Sequence, residues 1–212
     1  MSKVIKVTKL KKLDTTSLPS LKIAILGDTN VGKTSLLSYW IRGSHRDIEC
    51  PTIGVEFSTV YVSQEGSKKA QRLSFWDTGG QERFRALINS YYRDCAAIVL
   101  VYDVASRKTF ENIDYWITEV TSRYMESNMP IVVLVGNKTD LDVRKVSTLE
   151  GKNKASDHNA FFVETSVHTG YGVTAAWDIL IEQLCAKNAT VYVWERAKTE
   201  LRSYGTRQCC FR

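Results

Sequence analysis

The sequence predicts an α/β protein with a mostly parallel six-stranded sheet, which contains one antiparallel strand and carries helices on both faces. Continuous β-branched runs such as AAIVLVYDV and IVVLVGN are typical of parallel strands that are covered on both faces. Helical patterns lie between these runs, and strands that alternate with helices form a parallel sheet through right-handed crossovers. Ligands of such sheets bind at the carboxyl ends of the strands, where the chemical motifs of this chain lie.

The elements follow one another in a regular order. The aliphatic segment LKIAIL predicts the first strand, and a helix is expected over about 33–42. The segments VEFSTVYV and QRLSFWD, which are joined by the turn-like QEGSKK, predict a hairpin. AFFVETS predicts the last strand. The remaining helices are expected at about 82–93, 109–126, 148–158 and 173–187.

Composition and charge divide the chain into three parts. A basic N-terminal extension, residues 1–20, carries a net charge of +4, and a flexible C-terminal tail, residues 188–212, carries +3. Between them, residues 21–187 are expected to form one domain with a net charge of −1. A near-neutral body with basic ends argues against nucleic-acid binding. The ends fit arms that lie near an acidic membrane or partner, and solvated tails without a partner are the alternative.

Targeting signals and cysteine spacing exclude several classes of protein. No signal peptide is expected, because the lysine-rich N-terminus lacks an apolar core. The longest apolar runs are too short to span a bilayer. The five cysteines show neither metal-ligand spacing nor a disulfide framework. The chain is therefore expected to be intracellular.

The turn between the first strand and the first helix has the pattern G-x-x-x-x-G-K-[ST]. A glycine-rich turn before a helix directs unpaired N–H groups and the positive end of the helix dipole into one small space, which suits nucleotide phosphates. Lys33 adds a positive charge, and the Thr34 hydroxyl can ligate Mg²⁺. An ordinary glycine turn is the alternative, which the strand–turn–helix setting disfavours. The residues expected to hold the phosphates are Asp28, Thr29, Asn30, Val31, Gly32, Lys33, Thr34 and Ser35.

A second motif, WDTGGQERF, follows the second strand of the hairpin. Asp77 at the strand end can orient Mg²⁺, directly or through water. Gly80 allows its N–H to approach a γ-phosphate closely. Gln81 can then position a water molecule for in-line attack, with Lys33 stabilising the charge that develops.

The third motif, GNKTDL, follows the strand IVVLV and indicates guanine. The Asp140 carboxylate can accept hydrogen bonds from guanine N1–H and the exocyclic amine, whereas adenine offers no such pair of donors. Asn137 can tie this loop to the base and to the phosphate loop, and the Lys138 stem can lie along the ring face. A helix-capping turn of the form N-x-x-D is the alternative for this segment.

Taken together, these motifs resemble those of Ras-superfamily small GTPases, most of all the Rab family. The resemblance covers residues 21–187, and the strings IGVEF, WDTGGQERF, YYRD and VYDV favour Rab over Ras or Rho. It implies a P-loop small-GTPase fold. It also implies that Thr52 of PTIGVEF completes the coordination of Mg²⁺ when GTP is bound. In ETSVHTG, the resemblance implies that the loop from Ser166 through Val167 to His168 meets the guanine base.

The same resemblance implies a surface for effectors that changes with the bound nucleotide. Its residues would be Ile53 and Gly54 of the first switch and an aromatic triad formed by Phe57, Trp76 and Tyr91. Core packing is the alternative role for the aromatic side chains.

Four positions depart from the family pattern without removing a catalytic atom. Gly79 stands where the family usually has Ala, which adds backbone freedom. His45 stands where an aromatic Phe or Tyr usually packs near the guanine, and a solvent-facing His is the alternative. Val167 and His168 replace the usual Ala and Lys.

The end of the chain, Cys209-Cys210-Phe211-Arg212, resembles the paired cysteines that Rab proteins carry as geranylgeranylation sites. It is a poor ordinary prenylation box, because Arg is not a usual final residue. Two lipid chains are what stable membrane anchoring requires. Two unmodified thiols are the alternative.

The expected function is that of a Rab-like switch that binds GTP or GDP with Mg²⁺, hydrolyses GTP, and regulates vesicle and membrane trafficking. The resemblance implies an exchange factor, a GTPase-activating protein, a GDP-dissociation inhibitor or escort protein, and effectors that bind the GTP form. It also implies a cytoplasmic protein that cycles on and off an endomembrane through a lipid anchor. One rival is a GTP-binding scaffold with very slow or no hydrolysis. The other is a P-loop kinase or ATPase, against which Asn137, Lys138 and Asp140 argue.

Overall fold

A computed structural model of the protein describes residues 20–44, 52, 54–63, 70–79 and 93–187. The strands are β1 Ser20–Leu26, β2 Val55–Ser63, β3 Ala70–Thr78, β4 Ala97–Asp103, β5 Ile131–Asn137 and β6 Phe161–Glu164. The helices are α1 Lys33–Arg42, α2 Arg107–Thr121, α3 Thr148–Asp157 and α4 Val173–Lys187, and a short 3₁₀ turn covers Glu126–Asn128.

The six strands form one sheet in the order β2-β3-β1-β4-β5-β6. Only the β2–β3 pair is antiparallel, with Val55 opposite Thr78. The other four pairs are parallel. The sequence-based prediction of a mostly parallel sheet with one antiparallel strand is confirmed. Because five strands run in the same direction, their carboxyl ends meet at one edge of the sheet.

Helices cover both faces of the sheet, as the sequence predicts. On one face, α1 and α4 bury a core centred on Trp40, Phe75 and Trp177, whose ring centroids lie 5.5–6.1 Å apart. On the other face, α2 and α3 pack over the opposite sides of β1, β4 and β5, with Ile113 and Trp116 almost completely buried. The two faces together fix each strand end relative to the helix that follows it.

Local sequence explains where two of the helices begin and end. The backbone of α1 is entered through Gly32 and left through Gly43, both in the left-handed region, and the Gly43 N–H donates to the carbonyl of Tyr39. A capping box starts α3, because Ser147 and Glu150 each satisfy the other's backbone N–H.

Most predicted elements agree with the structure to within two residues at each end. The exception is α2, which begins at Arg107 and ends at Thr121 instead of continuing to about residue 126. Its last turn tightens, and the Tyr124 hydroxyl accepts a hydrogen bond from the Cys95 N–H at 2.9 Å. The helix expected at about 82–93 lies almost entirely outside the described residues, as does the turn of the β2–β3 hairpin.

Candidate functional site

The loop between β1 and α1 wraps around the N-terminus of the helix. Asn30 and Gly32 both have positive φ, at 62° and 99°, so that the chain turns tightly before Lys33. A Cβ atom at Gly32 would overlap the side-chain amide of Asn137, so this position needs glycine for space as well as for conformation. The geometry brings the first backbone N–H groups of α1 to the carboxyl edge of the sheet, the arrangement expected of an anion-binding loop.

Lys33 is only 5% exposed and lies inside this loop. Its Nζ donates to the carbonyl oxygens of Gly27 at 2.9 Å and Asp28 at 2.7 Å. Burial lowers the pKa of the ammonium group to about 8, an effect that the nearby Asp77 and Asp28 oppose. Because the group is held by carbonyl oxygens and two acidic neighbours, it is a preorganised positive charge in the loop.

Asp77, at the end of β3, is a buried carboxylate. It is 1% exposed, and neither carboxylate oxygen has a hydrogen-bond partner among the described residues. Burial raises its pKa to about 6, while the nearby Thr34 hydroxyl, which does not reach hydrogen-bond geometry, and the Lys33 charge act in the opposite direction. A buried carboxylate in this state is costly unless a cation or donor satisfies it.

Two hydroxyl groups lie beside this carboxylate. The Oγ1 atoms of Thr34 and Thr52 are 2.7 Å apart, which brings the first turn of α1 together with the segment before β2. Thr34, Thr52 and Asp77 offer only hard oxygen atoms, the donor type that Mg²⁺ prefers. The residues present therefore fit a magnesium ion.

The segment before β2 also contacts the end of β3. The Gly79 N–H donates to the carbonyl of Gly54 at 2.8 Å. A Cβ atom at Gly79 would overlap the carbonyl oxygen of Thr52. The glycine that departs from the family pattern thus lets the Thr52 segment approach β3 closely, a specific role that added backbone freedom alone does not describe.

Asn137, at the end of β5, joins three loops. It is 2% exposed, and its amide nitrogen donates to the carbonyl of Val31 in the phosphate loop at 2.9 Å. Its oxygen accepts from the Thr165 hydroxyl at 3.0 Å and from the Val167 N–H at 3.3 Å. The expected tie to the phosphate loop is present, and contact of Asn137 with a base stays a prediction.

The other residues of the guanine motif lie around this amide. Lys138 has positive φ, at 69°, and its Nζ lies 2.9 Å from Asp103 Oδ2. Asp140 is exposed at the same edge. Ser166 is buried and its hydroxyl accepts from the Thr169 N–H, while His168 is exposed. The structure therefore gathers the three loops that the sequence assigned to phosphate and base.

Two residues of this site escape sequence reasoning. The buried Thr165 holds the oxygen of Asn137, and Asp103 at the end of β4 holds the amine of Lys138. Asp103 could have been identified from its place, since it ends a buried strand at the edge where ligands bind. Thr165 carries no such signal, because threonine next to a strand end is common.

One part of the expected effector surface is described. The rings of Phe57 and Trp76 meet edge to face with centroids 4.2 Å apart, and Phe57 is 57% exposed. The Nζ of Lys22 lies 4.2 Å from the Trp76 ring centroid, a cation–π contact. The remaining predicted positions lie outside the described residues: His45, Ile53, Gly80, Gln81, Tyr91, Cys209 and Cys210.

Within the described ranges, no helix is both long enough and apolar enough to cross a lipid bilayer.

Comparison with known proteins agrees with this geometry. Residues 22–186 match the Ras family. The chain is 38% identical over 184 residues to the Ras-related protein Rab-18 of Lymnaea stagnalis, with 87% of this chain and 88% of the relative covered. It is 39% identical over 183 residues to the Ras-related protein Rab-18-B of Danio rerio, with 86% of each covered. The chain therefore belongs to the Ras family and is a Rab-like small GTPase of intracellular membrane trafficking.

Proposed function

We propose that this protein is a molecular switch that binds GTP or GDP with Mg²⁺, and that its own GTP hydrolysis is slow, on the order of 10⁻⁴ to 10⁻² s⁻¹. The observation that carries the proposal is the buried amide of Asn137, which holds the guanine motif against the phosphate loop. A nucleotide that reaches both loops at once fits this arrangement.

The phosphate end of the site combines a held ammonium group with oxygen ligands. Lys33 and the N–H groups at the start of α1 bind the phosphates, and Thr34, Thr52 and Asp77 hold Mg²⁺. When bound, Mg²⁺ supplies positive charge that offsets the negative charge of the phosphates. The cation also satisfies the carboxylate of Asp77, whose burial otherwise disfavours its ionised form.

Hydrolysis needs an oriented water molecule, and Gln81 is the proposed residue for this role. A GTPase-activating protein supplies an arginine that accelerates the step. An exchange factor, a GDP-dissociation inhibitor or escort protein, and effectors complete the cycle. Effectors recognise the switch segments with Ile53, Gly54, Phe57, Trp76 and Tyr91, because the γ-phosphate orders these segments.

The proposed anchor to a cytoplasmic membrane face is prenylation of Cys209 and Cys210. One prenyl chain gives reversible attachment, and two make it stable. The basic tail adds attraction to anionic lipid, at about 1 kcal/mol for each basic residue held near the surface.

A GTP-binding scaffold with little turnover is the second candidate function. The specific observation in its favour is at Gly79. Its N–H donates to the Gly54 carbonyl, and a Cβ there would overlap the Thr52 carbonyl, so this glycine lets the two switch segments lie close together.

Base selectivity and turnover test the proposal in one set of variants. In the wild type, excess GTP but not ATP should displace a fluorescent GDP analogue. Asp140→Asn should lose tight GTP binding and shift its preference towards a xanthine nucleotide, whose C2 carbonyl accepts a hydrogen bond from the new amide. Unchanged GTP affinity in this variant would refute the guanine assignment.

Single-turnover hydrolysis then separates the switch from the scaffold. Gln81→Leu should keep GDP affinity and lower the hydrolysis rate, both alone and with an activating protein. A wild type that shows no stimulated hydrolysis, with normal GTP binding, would favour the scaffold.

A further inference from the structure

Asp28 lies in the phosphate loop, yet its side chain engages α2. Its Oδ2 accepts a hydrogen bond from the Asn112 side-chain amide at 2.6 Å, and its Oδ1 accepts from the Trp116 indole N–H at 3.1 Å. Asn112 and Trp116 are four residues apart, so they project from the same face of the helix. Each oxygen of the carboxylate is therefore matched by a donor from that one face.

The backbone of Asp28 engages the other side of the loop. Its carbonyl oxygen accepts from Lys33 Nζ at 2.7 Å. The same residue thus connects α2 to the ammonium group at the centre of the proposed phosphate site. A rotation of Asp28 would move this carbonyl and the N–H groups that follow it.

The charge of Asp28 determines which way its side chain must point. A carboxylate that turned towards the site would repel phosphates, at a short distance and with little solvent screening. Trp116 is 2% exposed and Asn112 is partly buried, so their hydrogen bonds to Asp28 are partly shielded from solvent. Two charge-assisted bonds there hold the carboxylate away from the loop interior.

We propose that Asn112 and Trp116 are positioning residues of the phosphate loop, which act through Asp28 and set the rate of nucleotide release. The proposal rests on the nucleotide-binding function proposed above. It assigns α2 a task in that site, although neither side chain belongs to a nucleotide motif.

Exchanging the two polar groups tests the contact. In Asp28→Asn, both hydrogen bonds lose their charged acceptor, and Asn112 must reverse its amide to keep a bond to the new side chain. In Asn112→Asp, two carboxylates meet. Each single variant should release a fluorescent GDP analogue about tenfold faster than the wild type in the presence of Mg²⁺. In the double variant Asp28→Asn/Asn112→Asp, the new amide nitrogen at position 28 donates to the carboxylate at position 112, and its oxygen still accepts from the Trp116 indole N–H. Release should therefore return to within about twofold of the wild type.

Two further measurements separate positioning from general stability. Trp116→Phe replaces the indole with a smaller aromatic ring that has no N–H donor. The resonance that this variant loses identifies the Trp116 indole N–H in ¹⁵N-edited spectra. That resonance should shift upfield in Asn112→Asp and recover in the double variant. The matched control is Arg123→Gln, which breaks an exposed ion pair with Glu119 on the same helix and should leave the release rate unchanged.

Unchanged release in the single variants would overturn the proposal. A double variant that melts like the wild type but still releases nucleotide faster would overturn the proposal as well. The cause would then be the lost negative charge at position 28 and not the broken hydrogen bonds. A wild type that fails to bind guanine nucleotide would refute the proposed function instead. The indole resonance would still report whether the hydrogen bond exists.

Discussion

Asp77 and Gly79, at the end of β3, both contribute to the proposed cation site. One contributes a charged side chain, and the other contributes by having no side chain. Asp77 supplies a carboxylate that has no hydrogen-bond partner among the described residues, and Gly79 supplies the space that lets the Thr52 segment approach β3. A hard cation would satisfy the carboxylate and the two threonine hydroxyls together. At the residue scale, the cation site therefore depends on an absent methyl group as much as on its ligands.

Gly79→Ala tests this dependence. The new methyl group must displace the Thr52 carbonyl, so the hydroxyl of Thr52 should move away from Thr34. Because Thr52 is expected to reach Mg²⁺ when GTP is bound, the Mg²⁺ concentration needed for slow release of a non-hydrolysable GTP analogue should rise about tenfold. The measurement is the release rate as a function of Mg²⁺ concentration. Thr52→Ala should give a similar shift, and the double variant little more than either. An unaltered Mg²⁺ dependence in Gly79→Ala would contradict the account.

Part of the site could be predicted at this scale and part could not. The identities of Lys33, Thr34 and Asp77 follow from local patterns, because a loop, a helix start and a strand end are local features. The pair between Lys138 and Asp103 depends on the register that sets Asp103 opposite Asn137, and no local pattern specifies a register between parallel strands. The connection of Asp28 to α2 is equally non-local.

At the scale of elements, the predicted bounds of α1, β5 and α4 agree with the structure because glycine, a strong apolar pattern or both mark their ends. The end of α2 could not be predicted in this way. Its helical pattern continues past Thr121, and the chain leaves it for a contact between Tyr124 and Cys95 at the start of β4. Tertiary contact outweighs local propensity at such a position.

Gly151, in the middle of α3, is a helix glycine whose replacement by alanine is expected to lower the stability of the fold. Alanine normally stabilises a helix interior by about 1 kcal/mol relative to glycine. Here a Cβ would lie 2.5 Å from the Phe162 ring and 2.6 Å from the Tyr102 hydroxyl, and such overpacking costs about 1–3 kcal/mol. Gly151→Ala should therefore lower the melting temperature of the GDP-bound protein. Lys152→Ala, on the exposed side of α3, is the control and should not lower it.

The contact between α2 and α3 predicts a pH dependence. Glu150 accepts hydrogen bonds from Arg107 and from Ser147, which together lower its pKa from 4.5 to about 2. A carboxyl with a lowered pKa stabilises the fold above its unfolded value, and this contribution disappears as the pH falls towards the folded value. Stability from this group is thus present above about pH 4.5 and is lost between there and about pH 2.

Glu150→Gln removes that titration and keeps an oxygen for the capping box. Its melting temperature should be lower than that of the wild type at neutral pH, and the difference should narrow as the pH falls from 5 to 2.5. Asp157→Asn, at the exposed end of the same helix, should track the wild type across the range. A difference for Glu150→Gln that is constant with pH would show that the ion pair does not titrate as described.

At the scale of the whole molecule, the proposed nucleotide site and the proposed anchor use different parts of the sequence. The motifs of the site lie between Asp28 and His168, and the two cysteines are Cys209 and Cys210. We therefore expect changes confined to the last residues to leave nucleotide binding intact. Because each lipid chain adds to membrane affinity, a protein prenylated on both cysteines should stay on the membrane longer than a protein prenylated on one.

Cys209→Ser combined with Cys210→Ser should move the protein from the membrane to the soluble fraction in cell fractionation, with normal GDP release. Single variants should show weaker membrane association, because one prenyl chain gives only marginal binding. Cys185→Ser in α4 is the matched control and should fractionate like the wild type. A double variant that still sediments with membranes at high salt would point to the apolar VYVW segment of the tail or to a protein partner.

The hydrogen bonds of Asn137 to three loops also affect when the site can form during synthesis of the chain. The amide bonds Val31 near the beginning of the domain, and Thr165 and Val167 near its end. At a synthesis rate of about 5–20 residues per second, on the order of ten seconds separate the production of these partners on the ribosome. Throughout that interval the nascent chain lacks part of the proposed guanine pocket, so a nucleotide at that site could not yet stabilise it. On the proposed function, any folding assisted by nucleotide would wait until the last strand of the sheet and the loop after it have been made.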